Sequence, residues 1–185
     1  MKYNREKLIE QFEQGEKLKY IFFWGHQSKN PEIITSTCFS QWYEAPFIVD
    51  TIEYRTTEHW MMAKKAKLFH DEEKYFSIIK ARTPGEAKSL GRQIQNFDEE
   101  IWNKHKYEIV VEGNTYKFEQ HQKLKTFLME THQRILVEAS PVDTIWGVGL
   151  AKDDKNIHNP KLWKGENLLG FALMEVRDKF RILEK

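Results

Sequence analysis

Cysteine is almost missing from this chain, with one thiol, Cys38, in 185 residues. A single cysteine excludes an internal disulfide and any zinc site built on cysteine. Neither charge is in excess, since 29 Lys and Arg stand against 28 Asp and Glu. A dedicated nucleic-acid binder carries a marked basic surplus, so the balance argues against that class while leaving room for a local phosphate pocket. No apolar run approaches the ~20 residues of a membrane span. The start, Met1-Lys2-Tyr3-Asn4-Arg5-Glu6, has no signal-peptide apolar region. The expectation is therefore a soluble, cytoplasmic protein with no membrane partner. The histidines are scattered and form no His-Glu-x-x-His pair, and Glu119 and His121 are too close in phase to share one helical metal face. There is no Gly-x-Ser-x-Gly elbow, no repeat, no low-complexity tract and no linker.

What is present is a globular composition, 40% hydrophobic and 14% aromatic, in a length that suits one domain. Residues 4–18 read as a short amphipathic helix and 20–24 as a buried strand stopped by Gly25, with 25–46 irregular. Phe47–Val49 and Ile52–Tyr54 flank Asp50-Thr51 as a hairpin would. Helices are expected over 57–69 and 71–81. Another begins at Thr83-Pro84-Gly85-Glu86, which supplies an N-cap, a first-turn proline and a capping-box acid, and runs to about Ile94. Residues 98–112 and 115–131 read as two helices broken at Gly113-Asn114, and 135–138 as a strand. A long polar loop, 140–165, precedes a last helix over 167–182 that buries Leu168, Leu169, Leu173 and Val176. The fold class expected is α+β, a single helix-rich domain with a small β-sheet. Residues 1–19 form an N-terminal helical segment and 20–185 the domain proper.

The stretch most suggestive of chemistry is Thr56-Thr57-Glu58-His59-Trp60 running into Lys64-Lys65. At ~100° per residue, Glu58 and Lys65 point within about 20° of each other and lie ~10 Å apart along the axis, with Lys64 rotated away. A carboxylate and an amine so spaced can flank a sugar carbon. The bland alternative is a first-turn acid on the helix dipole and a solvated lysine face. Elsewhere the signals are weaker. The helix start at Ala81-Arg82-Thr83-Pro84, with Arg92 further along, can receive a phosphate. Trp146-Gly147-Val148-Gly149 allows close backbone approach without being a Walker loop or dinucleotide fingerprint. Loop-borne Trp24, Trp42, Tyr43, Trp60 and Trp146 are mostly core by type, though such rings can also stack on a base.

In combination these segments carry a family resemblance. Phe39-Ser40-Gln41-Trp42, Thr57-Glu58-His59-Trp60 through Lys65, Leu90-Gly91-Arg92, Phe118-Glu119-Gln120-His121, Leu136-Val137-Glu138, Trp146-Gly147-Val148-Gly149 and Asn167-Leu168-Leu169-Gly170 occur in register over 20–182. The chain resembles the NADAR domain, or YbiA-like N-glycosidase, family. That resemblance implies hydrolysis of N-glycosidic bonds in ribosylated or ADP-ribosylated compounds, with no metal or other cofactor. The substrates it implies are ribosylamino-pyrimidine phosphates, riboflavin intermediates, or ADP-ribosyl-guanine in DNA. It maps a catalytic pair onto Glu58 and Lys65. The supporting roles expected are phosphate binding by Arg92, base stacking by Trp42 or Trp146, and ribose contacts from Ser40, Gln41 and Asn167. Glu119 and Glu138 stand as second carboxylates, and Gly147 as a point of close approach. The chain departs from the family at Gln41, where Asn is usual. A non-catalytic ADP-ribose or NAD-binding module is the competing reading, and near-neutral charge leans toward a small phosphorylated substrate over long DNA.

Overall fold

In a computed structural model of the chain, described for residues 1–27, 30 and 32–183, seven α-helices and four strands are found among the described residues. The architecture is helix-rich α+β. Helix α1 (Arg5–Glu13) starts at Asn4, whose side chain accepts from the Lys7 amide at 2.8 Å. It ends earlier than the expected 4–18 because Gly15 adopts φ +79°, a left-handed turn out of the helix. Strand β1 (Tyr20–Phe23) follows. The irregular stretch after it holds a 3-10 turn, Ser36–Phe39, while residues 28, 29 and 31 lie outside the described residues.

The remaining elements are β2 (Phe47–Val49), β3 (Ile52–Tyr54), α2 (Thr57–Leu68), α3 (Glu72–Lys80) and α4 (Pro84–Gly91). After them come α5 (Glu99–Gln120), α6 (Gln122–Met129), β4 (Ile135–Glu138) and α7 (Leu168–Leu183). The strands form two sheets rather than one. β1 and β4 pair in parallel, with Tyr20 opposite Ile135, and β2 pairs antiparallel with β3. Asp50 and Thr51 both take positive φ, 49° and 69°, as a two-residue hairpin turn requires.

A further expectation is overturned in α5. Helix α5 runs unbroken through Gly113-Asn114, and the chain breaks instead at His121. Gly113 is there for packing: a Cβ on it would fall 2.8 Å from Nε1 and 2.9 Å from Cγ of Trp60. The Asn114 side-chain amide donates back to the Val110 carbonyl at 2.9 Å, one turn earlier, so its donor is satisfied inside the helix.

The chain folds into two compact units, one of residues 1–40 with 123–185 and the other of residues 41–122. In the first, α7 packs on β4 and buries Leu169, Leu173 and Val176, whereas Leu168 is only half-buried. Its long loop has a short 3-10 turn, Pro160–Leu162, and is pinned to α1 by Arg5, which donates to the carbonyls of Pro160, Lys161 and Trp163. In the second unit α2 is central, packed by α3, α4 and α5. Eight of its twelve residues are buried, which explains why so polar a sequence reads poorly as amphipathic. Among the described residues no helix is long and apolar enough to cross a membrane.

Candidate active site

The start of α2 is the most heavily built corner of the second unit. Thr56 is the N-cap, in extended backbone conformation, and its hydroxyl accepts from the His59 amide at 3.4 Å. The Gln41 carbonyl accepts twice, from the Glu58 amide at 3.0 Å and the Thr57 hydroxyl at 3.2 Å. The Gln41 side chain is also engaged, its Oε1 accepting from Asn114 Nδ2 at 2.8 Å. The Gln41 side chain thus reaches α5. Glu58 itself, in the first turn, is only 2% exposed.

His59 is buried beside it and locked at both ring nitrogens. Nε2 faces the Ala81 carbonyl at 3.2 Å, an acceptor only, so Nε2 carries the proton, and the Thr56 hydroxyl at 2.8 Å donates to Nδ1. Burial pushes the His59 pKa below its ordinary value, which keeps the ring neutral.

Lys65 lies two turns on from Glu58. Its Nζ donates to the Gly91 carbonyl at 3.0 Å and sits 4.1 Å from the Phe97 ring and 5.6 Å from that of Trp102. Burial pulls its pKa below the usual lysine value, so half-burial outweighs the carbonyl and ring contacts that favour the ammonium. Lys64 points elsewhere, its Nζ 4.4 Å from the Trp60 ring.

The other expected residues divide between the units. Gln41, Trp42, Arg92 and Glu119 share the second unit with Glu58 and Lys65, whereas Ser40, Trp146, Gly147 and Asn167 belong to the first. Trp42 is half-buried and packs on the start of α4, where a Cβ on Gly85 would meet its ring at 3.6 Å. Arg92 is exposed and caps the C-terminus of α4, since that helix stops at Gly91 rather than near Ile94. The N-terminus of α4 already holds an anion of its own, because Glu86 accepts from the Arg82 amide at 2.7 Å and the Thr83 hydroxyl accepts from the Glu86 amide at 3.1 Å. A phosphate there would meet a like charge. Glu119 is exposed on α5.

In the first unit Ser40 ends the 3-10 turn and is half-buried. The Trp146 segment makes its close backbone approaches within the protein. A Cβ on Gly147 would lie 2.9 Å from the Glu138 carbonyl and 3.0 Å from that of Asp143, while Asp143 Oδ1 accepts from the Ile145 and Trp146 amides. Asn167 is fully buried and bound to β4 at both ends of its amide, donating to the Leu136 carbonyl at 2.9 Å and accepting from the Glu138 amide at 3.0 Å. Its role in this structure is to seat α7 on β4.

Three residues around this corner escaped the sequence reading. Phe97 and Trp102 wall the Lys65 amine, and Lys117, 0% exposed on α5, has its Nζ 5.4 Å from the Tyr43 ring. A signal for Lys117 does exist, since Val110, Asn114, Lys117 and Phe118 recur at helical spacing and so share a buried face. Nothing in the local sequence marks Phe97 or Trp102. Among the described residues no three His, Cys, Asp or Glu side chains are gathered as metal ligands would be.

A helix-rich α+β protein with a buried carboxylate and a half-buried amine on one helix is the class that fold and site define. The chain belongs to the NADAR domain family, whose model it matches over residues 22–181. It is 41% identical over 167 residues to N-glycosidase R617 of Acanthamoeba polyphaga mimivirus, covering 87% of this chain and 96% of that protein. It is 32% identical over 144 residues to N-glycosidase YbiA of Escherichia coli, covering 78% and 81%. The NMR structure of E. coli YbiA superposes with a TM-score of 0.70 at 28% identity, over 90% of this chain and 87% of that one.

Proposed function

We propose that this protein is a hydrolase of N-glycosyl bonds, acting on a phosphorylated N-riboside with Glu58 and Lys65 as the reacting pair. The observation that carries the reading is the Lys65 amine, half-buried and lowered in pKa by that burial, on the same helix as a buried carboxylate. The relatives named N-glycosidases support the reaction class. The substrate class is a ribosylamino-pyrimidine phosphate or an ADP-ribosyl guanine.

In the covalent route Lys65 Nζ, as the free amine, forms a bond to C1 of the ribose. The C1–N bond to the base breaks, its electron pair stays on the base nitrogen, and a proton delivered from the side of Glu58 neutralises the departing base. The ring oxygen then leaves C1, taking a proton, so that a Schiff base joins C1 to Lys65. Water adds to that carbon and releases the amine and the free sugar. The bond to the Gly91 carbonyl must open for attack, which the low proton affinity of a half-buried amine eases. Because only the free amine reacts, kcat/KM should rise with pH up to the lowered lysine pKa and then level off.

The test is base release from a ribosylamino-pyrimidine phosphate and from an ADP-ribosylated guanine oligonucleotide, using the native protein, Glu58→Gln and Lys65→Ala. Cleavage of one substrate that both variants lose supports the pair and names the leaving group. Borohydride added during turnover should trap a ribosyl adduct on Lys65. Turnover without an adduct would replace the covalent route by water attack assisted by Glu58. No cleavage of either substrate, with ADP-ribose still bound, would make this a binding module.

A further inference from the structure

The near-equality of acids and bases over the whole chain conceals a local imbalance. Within the first unit a cavity of about 1350 Å³ opens between α1, the segment after it, the stretch before β4, and α7. Lys2, Lys7, Lys17 and Lys19 line it from the N-terminal side, Arg134 from the approach to β4, and Arg177 and Arg181 from α7. Only two carboxylates, Glu16 and Asp178, face these seven cations, although the chain as a whole carries 29 basic and 28 acidic residues.

The carboxylate best placed to neutralise the groove is already taken. Asp178 is paired with Lys2, accepts from the Tyr3 hydroxyl at 2.7 Å, and lies 3.8 Å from Arg181. Lys17 and Lys19 are exposed and make no ion pair among the described residues. Arg177, 1% exposed, has its Nη1 fixed by the Thr131 hydroxyl and the Arg134 carbonyl, each at 2.8 Å. Its Nε–H has no hydrogen-bond partner among the described residues. Burial and the charge of Arg181 press against its protonated state, and Tyr3 and Asp178 only partly offset them.

From this we infer that the groove holds the phosphate backbone of a single nucleic-acid strand, independently of the hydrolytic site. Three features select that occupant. The cavity exceeds the ~300–1,000 Å³ of small-molecule pockets. Among its exposed charged groups Lys2, Lys7, Lys17 and Lys19 outnumber Glu16, and Phe171 is buried out of stacking reach, so the groove favours phosphates over bases. It is concave, whereas a lipid surface is met by a protruding amphipathic face.

The experiment is fluorescence anisotropy of a labelled, unmodified 20-nucleotide DNA strand across a salt series. If Lys7, Lys17, Lys19 and Arg181 reach phosphates, four contacts at a slope of about −0.7 each give roughly fifty-fold weaker binding between 50 and 200 mM salt. Lys17→Glu combined with Lys19→Glu should halve that slope and leave base release from a small riboside unchanged. The control pair Lys80→Glu and Lys104→Glu alters exposed lysines of the other unit by the same total charge. Circular dichroism and melting temperature establish that both double variants remain folded. Binding that ignores salt, or that the control pair weakens as much as the groove pair, would overturn the assignment. So would groove-dependent binding to phosphatidylserine vesicles without binding to the strand.

Discussion

Replacing Gly113 by alanine should destabilise the protein, although alanine is the better helix former. In an unhindered helix interior that exchange gains about 1 kcal/mol. Here the new methyl would lie 2.8 Å from Nε1 and 2.9 Å from Cγ of Trp60, and closer still to Cδ1. Trp60 cannot swing aside cheaply. It is 1% exposed, and its ring centroid lies 4.9 Å from that of Tyr54, 5.3 Å from Tyr116 and 6.0 Å from Phe47. Its indole N–H also donates to the Ile109 carbonyl at 2.9 Å, one turn before Gly113 on the same helix. Overpacking costs about 1–3 kcal/mol, and loss of a buried hydrogen bond about as much again. Set against the propensity gain, the net is near 3 kcal/mol, or a melting temperature lower by about 6–12 °C. Gly85→Ala is the matched control, since its methyl would make an ordinary 3.6 Å contact with Trp42 and should be neutral or mildly stabilising. Thermal and urea unfolding of the two variants decide the matter. A Gly113→Ala protein as stable as the native one would refute the packing account of that glycine.

His59 titrates in the unfolded chain near 6.5, but burial lowers its pKa in the folded protein. The stability it contributes is therefore complete above pH ~6.5 and is lost as pH falls through the folded value. Melting curves from pH 7.5 to 5 should show that loss, and His59→Gln should flatten it. Asn167→Ala removes both amide bonds to β4 from a fully buried position. It should lower stability by about 2–4 kcal/mol in urea titrations, with KM unmoved, and a KM effect alone would return Asn167 to the substrate. Gln41→Asn shortens the side chain by one methylene and withdraws the acceptor of the 2.8 Å bond from Asn114. A cost of about 1–2 kcal/mol is expected, and a double-mutant cycle with Asn114→Ala should show coupling.

Elements governed by short-range chemistry were legible. Asp50-Thr51 marks the hairpin because both residues must take positive φ, and Thr83, Pro84 and Glu86 mark a helix start because cap, ring and carboxylate lie within four residues. Gly113 misleads for the opposite reason. Its partner, Trp60, is on another helix, so a glycine chosen for close packing looks like a breaker. Glu58 and Lys65 could be singled out because one helix fixes their spacing. The walls of the lysine site, Phe97 and Trp102, meet it only through the turn from α4 into α5. An amide such as that of Asn167 reads alike whether it serves a ribose or a strand, and only the tertiary bonds separate the two.

The way α2 is held bears directly on the proposed chemistry. A carboxylate and an amine ~10 Å apart along a helix act together only if that helix is a fixed ruler. Its first turn is anchored by Thr56, the Gln41 carbonyl and the His59 bond to Ala81, all reached within residues 41–81. Its far end is anchored differently, through Lys65 itself, held by the Gly91 carbonyl and two aromatic rings. Damage at the two ends should therefore separate in kinetics. Crowding Met62 through Gly91→Ala disturbs the carbonyl that holds the amine, so it should shift the rising limb of the pH profile while the Glu58 end stays in place. Loosening the Gln41–Asn114 bond acts on the carboxylate end and should lower the rate without moving that limb. If both lesions shift the limb equally, α2 is not a ruler, and the two groups are positioned by the substrate instead.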